Sequence, residues 1–185
     1  MLITAAAGVA VLAVAIMMLA ARGIGPFQTR QAPTALLEAS PIAIDRVEAS
    51  DQGPDGGSVQ NLVDGDTATA WQLTGTGVGE WVDVRFDRPV QIDHLLISNG
   101  DQRSEGGFAA AGRVKELLIV FPNADKAYKV ELPDRPDSVR VTTHGRPPVS
   151  DEIRLKIVSI HEGRIGVTAL SEIQALTSSR DAAAE

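Results

Sequence analysis

Gly79-Glu80-Trp81-Val82-Asp83-Val84-Arg85-Phe86-Asp87-Arg88-Pro89-Val90 is the stretch on which the reading of the fold turns. Val82, Val84 and Phe86 alternate with Asp83 and Arg85, the period-two pattern of a strand with one buried face. A second run follows at once over 90–97, and others occupy 113–121, 127–132, 152–158 and 168–176. Gly, Pro, Asn and Asp cluster between them. Short alternating runs punctuated by turn residues predict an all-β sandwich or jelly roll. No stretch after Ala21 carries the period and caps of a long amphipathic helix, and the chain has no internal repeat.

The 185 residues suffice for one such domain plus an appendage. A 44% hydrophobic content supports a packed core, although aromatics make up only 4%. Acids outnumber bases, 24 to 17, for a net charge of -7. That sign repels phosphate backbones and anionic lipid surfaces, so nucleic acid is excluded as a partner. With no cysteine, disulfide frameworks, thiolate nucleophiles and Cys-type zinc sites are excluded too.

The N-terminus differs from everything after it. Leu2 to Ala21 contains no charge, and Thr4 is its only polar side chain. A helix of about 20 such residues matches the roughly 30 Å hydrocarbon core of a bilayer. The stretch exceeds the apolar region of a secretory signal and has no basic residue before it, which favours an uncleaved anchor over residues 1–22. Small residues at Ala20 and Ala21 keep cleavage open as the alternative. Residues 23–44 carry Gly25-Pro26, Pro33 and Pro41 without periodicity and read as a linker. The sandwich is then expected over 45–177, with a frayed, disordered polar tail at 178–185. Arg22 and Arg30 follow the apolar helix, and by charge alone the domain would stay in the cytoplasm.

Four motifs carry a family resemblance. Asn61-Leu62-Val63-Asp64-Gly65-Asp66-Thr67-Ala68-Thr69-Ala70-Trp71 resembles the N-x-x-D-G-D-x-x-T-x-W signature of discoidin-like (F5/8 type C, galactose-binding-like) domains. The stretch from Gly79 to Val90 is similar to that family's tryptophan strand, and Ile153 to Ile157 and Ala169 to Ile173 to its last two core strands. Ile97-Ser98-Asn99-Gly100-Asp101-Gln102-Arg103-Ser104, followed by Arg113-Val114-Lys115, resembles the subfamily named after the translocation domain of a bacterial NAD glycohydrolase. The resemblance spans about 45–176. It implies a discoidin-like jelly roll behind a transmembrane helix and a Pro-rich linker, at the cell membrane with the domain outside the cytoplasm. The implied function is recognition of a glycan or another envelope component. Family position also assigns both Trp71 and Trp81 to the core. The sequence departs from the subfamily over 106–112, where Gly and Ala replace more polar residues.

Two candidate sites follow. Asp64 and Asp66 flank a glycine suited to a tight turn, with Thr69 three residues on; hard oxygens converging from a loop suit Ca²⁺. In relatives the glutamate of the last strand assists, and carried over by position the ligands are Asp64, Asp66, Thr69 and Glu172. The same residues also make a metal-free Asx-turn, and both readings stand. The second candidate is a shallow polar site of Asn99, Asp101, Arg103 and Arg113 around Phe108, which falls in the Gly-rich loop Glu105-Gly106-Gly107-Phe108-Ala109. Phe108 either contacts ligand there or folds back to cap the sandwich. An enzyme is not expected: His94, His144 and His161 are isolated, and no nucleophile elbow or phosphate loop occurs. The other role the sequence allows is protein docking in an envelope assembly, with no carbohydrate ligand.

Overall fold

The structure, a computed structural model, describes residues 29–31, 39–54, 57–143 and 146–178. The apolar segment 1–22, most of 23–38, His144 and 179–185 lie outside the described residues. Among the described residues no helix is long and apolar enough to cross a membrane.

Among the described residues eleven strands form in chain order: β1 (Thr29–Gln31), β2 (Ala39–Pro41), β3 (Arg46–Ala49), β4 (Trp71–Thr74), β5 (Trp81–Gln91), β6 (His94–Asn99), β7 (Gly112–Phe121), β8 (Lys126–Glu131), β9 (Val139–Thr142), β10 (Val149–His161) and β11 (Val167–Ser178). A short helix, α1 (Glu105–Ala110), sits between β6 and β7. One layer runs β1-β9-β6-β11, with β2 and β4 also on β11, and the other runs β8-β7-β10-β5-β3. They join where β11 meets β7 in a parallel pairing of two residues, Thr168 opposite Gly112 and Ala169 opposite Arg113. Every other pairing is antiparallel. This is the all-β jelly-roll sandwich the alternation predicts.

The core lies between the layers. Val82, Val84 and Phe86 of β5, Ile153, Leu155 and Ile157 of β10 and Leu117, Ile119 and Phe121 of β7 face Leu95 and Ile97 of β6 and Ile173 of β11. Burying such side chains contributes roughly 1.5–3 kcal/mol each, and their parity fixes the register, since a one-residue slip would turn every one of them to solvent. Tyr128 packs at the edge of this core, its ring edge-on to Phe121 at 5.6 Å.

Three expectations are corrected. β1 and β2 fall inside the stretch read as linker: Thr29–Gln31 adds an edge to β9 and Ala39–Pro41 pairs with β11. Three-residue strands are too short for a periodic pattern to show in the sequence. Residues 105–110, read as a loop, are helical. Ser104 caps them, its Oγ accepting the Gly107 N–H at 3.0 Å, which offsets the poor helix propensity of two glycines.

The third correction concerns the tryptophans. Trp71 is 1% exposed, and its Nε1 donates to the Asp51 carbonyl at 2.9 Å. Trp81 is only half-buried, on the outer face of β5 with Asp83 and Arg85. Once Val82 and Val84 point inward, residue 81 must point out. The Arg154 guanidinium covers its ring at 4.3 Å. Trp71→Ala should therefore lower the unfolding free energy by about 3–5 kcal/mol, and Trp81→Ala by about 1 kcal/mol. Urea denaturation of the two variants measures this; equal losses would put the Trp81 indole in the core.

Candidate functional site

Both candidate groups hang from the middle of β11. Ser171 Oγ donates to the Gly100 carbonyl at 2.5 Å, holding the turn after β6. Next along the strand, Glu172 Oε2 accepts the Gly65 N–H at 3.2 Å, holding the acidic loop. Strand β11 thus brings the 61–70 and 99–113 segments to one end of the sandwich.

The acidic loop follows a 3-10 turn (Val59–Leu62) whose Val59 and Leu62 are fully buried. Asp64 Oδ1 accepts the Asp66 N–H and Asp66 Oδ1 the Ala68 N–H, both at 2.8 Å, so two Asx-turns succeed each other around Gly65 at φ +80°. The Thr69 hydroxyl lies 2.7 Å from Asp64 Oδ2, 2.9 Å from the Asp66 carbonyl and 3.5 Å from the Asn61 carbonyl. Four oxygens thus crowd one point. Glu172, 5% exposed, stands behind them. Burial first, and then the negative charge of Asp64 and Asp66, push its carboxyl up to about 7, against the pull of the Gly65 N–H.

Among the described residues no three His, Cys, Asp or Glu side chains converge closely enough to hold a metal by themselves. A cation here would draw on the Thr69 hydroxyl and the Asn61 and Asp66 carbonyls beside the carboxylates. That mixed, all-oxygen donor set is of the kind Ca²⁺ takes.

The structure divides the second group. Asn99 is fully buried, with Nδ2 donating to the Val114 carbonyl at 2.7 Å and Oδ1 accepting the N–H groups of Val114 and Gly100 at 3.0 Å. It bridges β6 to β7 and presents nothing outward. Asp101, 4% exposed, clamps Arg103 from both oxygens: Nε donates to Oδ1 at 2.9 Å and Nη2 to Oδ2 at 2.5 Å. Hydrogen bonding from Arg103 holds the Asp101 carboxyl below the usual carboxylate range despite burial. The Arg103 side chain remains 51% exposed, its charge fixed in place at the rim.

Phe108 joins the halves. A Cβ on Gly100 would lie 2.8 Å from the Phe108 ring, so the ring rests on a glycine whose φ of +74° also requires one. The Arg113 guanidinium lies 5.4 Å from the ring centroid, and the Arg113 stem borders the same Gly100. Arg113 is nearly buried, its fork closed on Asp134 at 2.8 and 2.9 Å and its Nη1 donating to the Ala111 carbonyl at 2.7 Å. Arg113 in turn keeps the Asp134 carboxyl below its ordinary value. Phe108 is thus partly exposed above a rigid floor.

Sequence reasoning missed Asp134, Gln72, whose Nε2 reaches Asp101 at 3.5 Å, and His161, whose Nε2 lies 3.2 Å from the Leu132 carbonyl. Asp134 stands in a Pro-flanked turn 21 residues from Arg113, and no local pattern connects them. His94 lies 3.1 Å from the Thr142 hydroxyl in the sheet. The described histidines thus engage a hydroxyl and a backbone carbonyl.

No curated protein matches the chain. Solved structures share its fold. The carbohydrate-binding modules CBM32-1 and CBM32-2 of Clostridium perfringens ZmpB, in complex with GalNAc, align over 84% of this chain and 40% of theirs, at 15% identity and a TM-score of 0.65. This chain therefore spans about two fifths of that protein's length. The family 32 module of C. perfringens NanJ, in complex with galactose, aligns over 81% of this chain and its own full length, at 13% identity and a TM-score of 0.55. The mycobacterial arabinofuranosyltransferase AftD aligns over 80% of this chain and 11% of its own, at 21% identity and a TM-score of 0.56. At these identities the likeness is one of fold. The sequence profile of one family covers residues 42–176, and the chain belongs to that family, the NAD glycohydrolase translocation F5/8 type C domains.

Proposed function

We propose that the chain is a membrane-anchored, non-catalytic recognition module that binds a glycan or another cell-envelope component. The observation that carries this is the turn and helix that follow β6: a half-exposed Arg103 locked by a buried Asp101, and a partly exposed Phe108 ring held against Gly100 and Arg113. A fixed guanidinium offers donors to paired hydroxyl oxygens with little ordering cost, and an aromatic face suits the apolar side of a sugar ring. The GalNAc- and galactose-bound modules of like fold support the same reading. The apolar segment over 1–22 is the single-pass anchor, and the domain faces out of the cytoplasm. Docking to an envelope protein is the second reading, favoured by the half-buried Trp81 on the outer sheet face.

The recognition surface is tested by glycan-array screening followed by calorimetry on any hit. Arg103→Ala and Phe108→Ala should each weaken binding about tenfold or more, a loss near 1.4 kcal/mol, at a temperature where both variants remain folded by circular dichroism, and with no product formed. Binding that survives both substitutions would move the site elsewhere.

Within this reading the 61–70 loop holds a structural Ca²⁺ through Asp64, Asp66, Thr69 and Glu172, with the Asn61 and Asp66 carbonyls. Added Ca²⁺ should raise the melting temperature by several degrees over chelator, and Asp64→Ala should abolish the rise; no response in the parent chain would remove the metal.

In chelator, Glu172 carries its own signature. A carboxyl raised to about 7 in the fold, from 4.5, keeps its proton where the unfolded chain has lost it. Its contribution to stability is therefore complete at low pH and is lost as pH rises through 4.5 to 7. Glu172→Gln should be more stable than the parent at pH 8, by about 2 kcal/mol, with the gap closing toward pH 5. A gap constant with pH, read by urea denaturation, would contradict this.

A further inference from the structure

We propose that the outer face of β5, β10 and β7 is a second recognition surface, which docks a partner protein through Trp81 and Lys156 and receives an acidic side chain of that partner. It is separate from the rim around Arg103 and does not depend on it.

The face is built around a stack that the core does not require. Asp83, 2% exposed, accepts both forks of Arg154, Nε to Oδ1 and Nη2 to Oδ2, at 2.6 Å each. Held in that way, the Arg154 guanidinium lies over the Trp81 ring, 4.3 Å from its centroid. An aromatic and a guanidinium fixed together on the outside of a sheet give a rigid contact area that loses little freedom on binding, and Trp and Arg dominate the energetics of protein interfaces. Across the strands the register continues the surface: Lys156 is opposite Trp81 on one side and Leu118 on the other, and Arg154 is opposite Val120. Leu118 and Val120 are half-buried, and Val158, farther along β10, is 37% exposed.

Charge identifies the partner. The ion pairs bordering this surface are closed within the chain: Arg85 with Glu152 at 3.5 Å, and Lys129 with Glu116 at 2.6 Å. Lys156, between Trp81 and Leu118, has no carboxylate partner among the described residues. The centre is therefore aromatic and aliphatic with one uncompensated cation, inside a rim of neutralised pairs. Such a face fits an apolar contact carrying a single Asp or Glu. An anionic membrane fits it poorly, because Glu116 and Glu152 would face the headgroups. A second copy of the chain fits it poorly too, because two Lys156 side chains would meet near the axis of a face-to-face pair.

The test uses the full chain in cells that express it, with a photoreactive amino acid at Val158 or, as a control on the other sheet's outer face, at Gln174. A single discrete protein adduct at 158 and none at 174 is expected. It should fall at least tenfold with Lys156→Glu and with Trp81→Ala, and remain with Arg103→Ala, and the cross-linked partner peptide should carry an Asp or Glu near the attachment point. Lys156→Glu, at a half-exposed position, should melt like the parent and so separates docking from folding. The proposal is overturned by an absent adduct, an adduct insensitive to Lys156→Glu, one with the mass of two copies of this chain, or one formed with lipid alone. An adduct lost with Arg103→Ala but kept with Lys156→Glu would assign the contact to the glycan-type rim instead.

Discussion

The arrangement of this domain depends on a polarity problem in strand β11. The strand lies in the middle of its layer, with β6 on one side and β2 and β4 on the other, and residues 168–173 are buried in an unbroken run. Three of those six are polar, and each must find a partner away from water. Thr168 Oγ1 donates to the Gly75 carbonyl at 2.9 Å, Ser171 to Gly100 and Glu172 accepts from Gly65. One strand therefore pins three loops at the same end of the molecule. Those loops are held precisely because the strand beneath them cannot leave these groups unpaired.

Paired guanidinium forks give the same rigidity at the surface. Arg103 on Asp101, Arg113 on Asp134 and Arg154 on Asp83 share one geometry, with Nε and Nη2 each meeting a carboxylate oxygen. Bidentate pairs of this kind add little net stability, because the charges lose their hydration. Their effect is to fix orientation. In two of the three the arginine then holds an aromatic ring: Phe108 for Arg113 and Trp81 for Arg154. An acidic domain with few aromatics thus positions the ones it exposes.

The fold was legible because alternation and turn residues report burial directly; β5 and β10 stand where residues 82, 84, 86, 153 and 155 alternate with polar neighbours, and β7 where an apolar run closes on Phe121. The same parity, applied to Trp81, points it outward, and only family position argued for the core. Helix α1 was illegible because two adjacent glycines suppress its propensity, while its cap, Ser104, resembles any loop serine. Asn99 read as a ligand residue because a polar side chain at a strand end is usually exposed. Its burial comes from Val114, fifteen residues on, and the partnership of Arg113 with Asp134 is equally non-local. Side-chain chemistry could be listed from the sequence, but which groups face solvent is decided by contacts between distant segments.

The position of β11 along the chain also governs how the domain forms. It runs over Val167–Ser178, after every other strand, yet it is the one onto which β2, β4, β6 and the start of β7 assemble. A ribosome releases the edges of this sheet long before its middle. Until the last strand emerges, β6 and β4 lack the neighbour that closes their ladders, and loop closure must span more than seventy residues from β6 and nearly a hundred from β4. The nascent domain therefore stays open until its last described strand has emerged, a state vulnerable to aggregation if that strand is delayed.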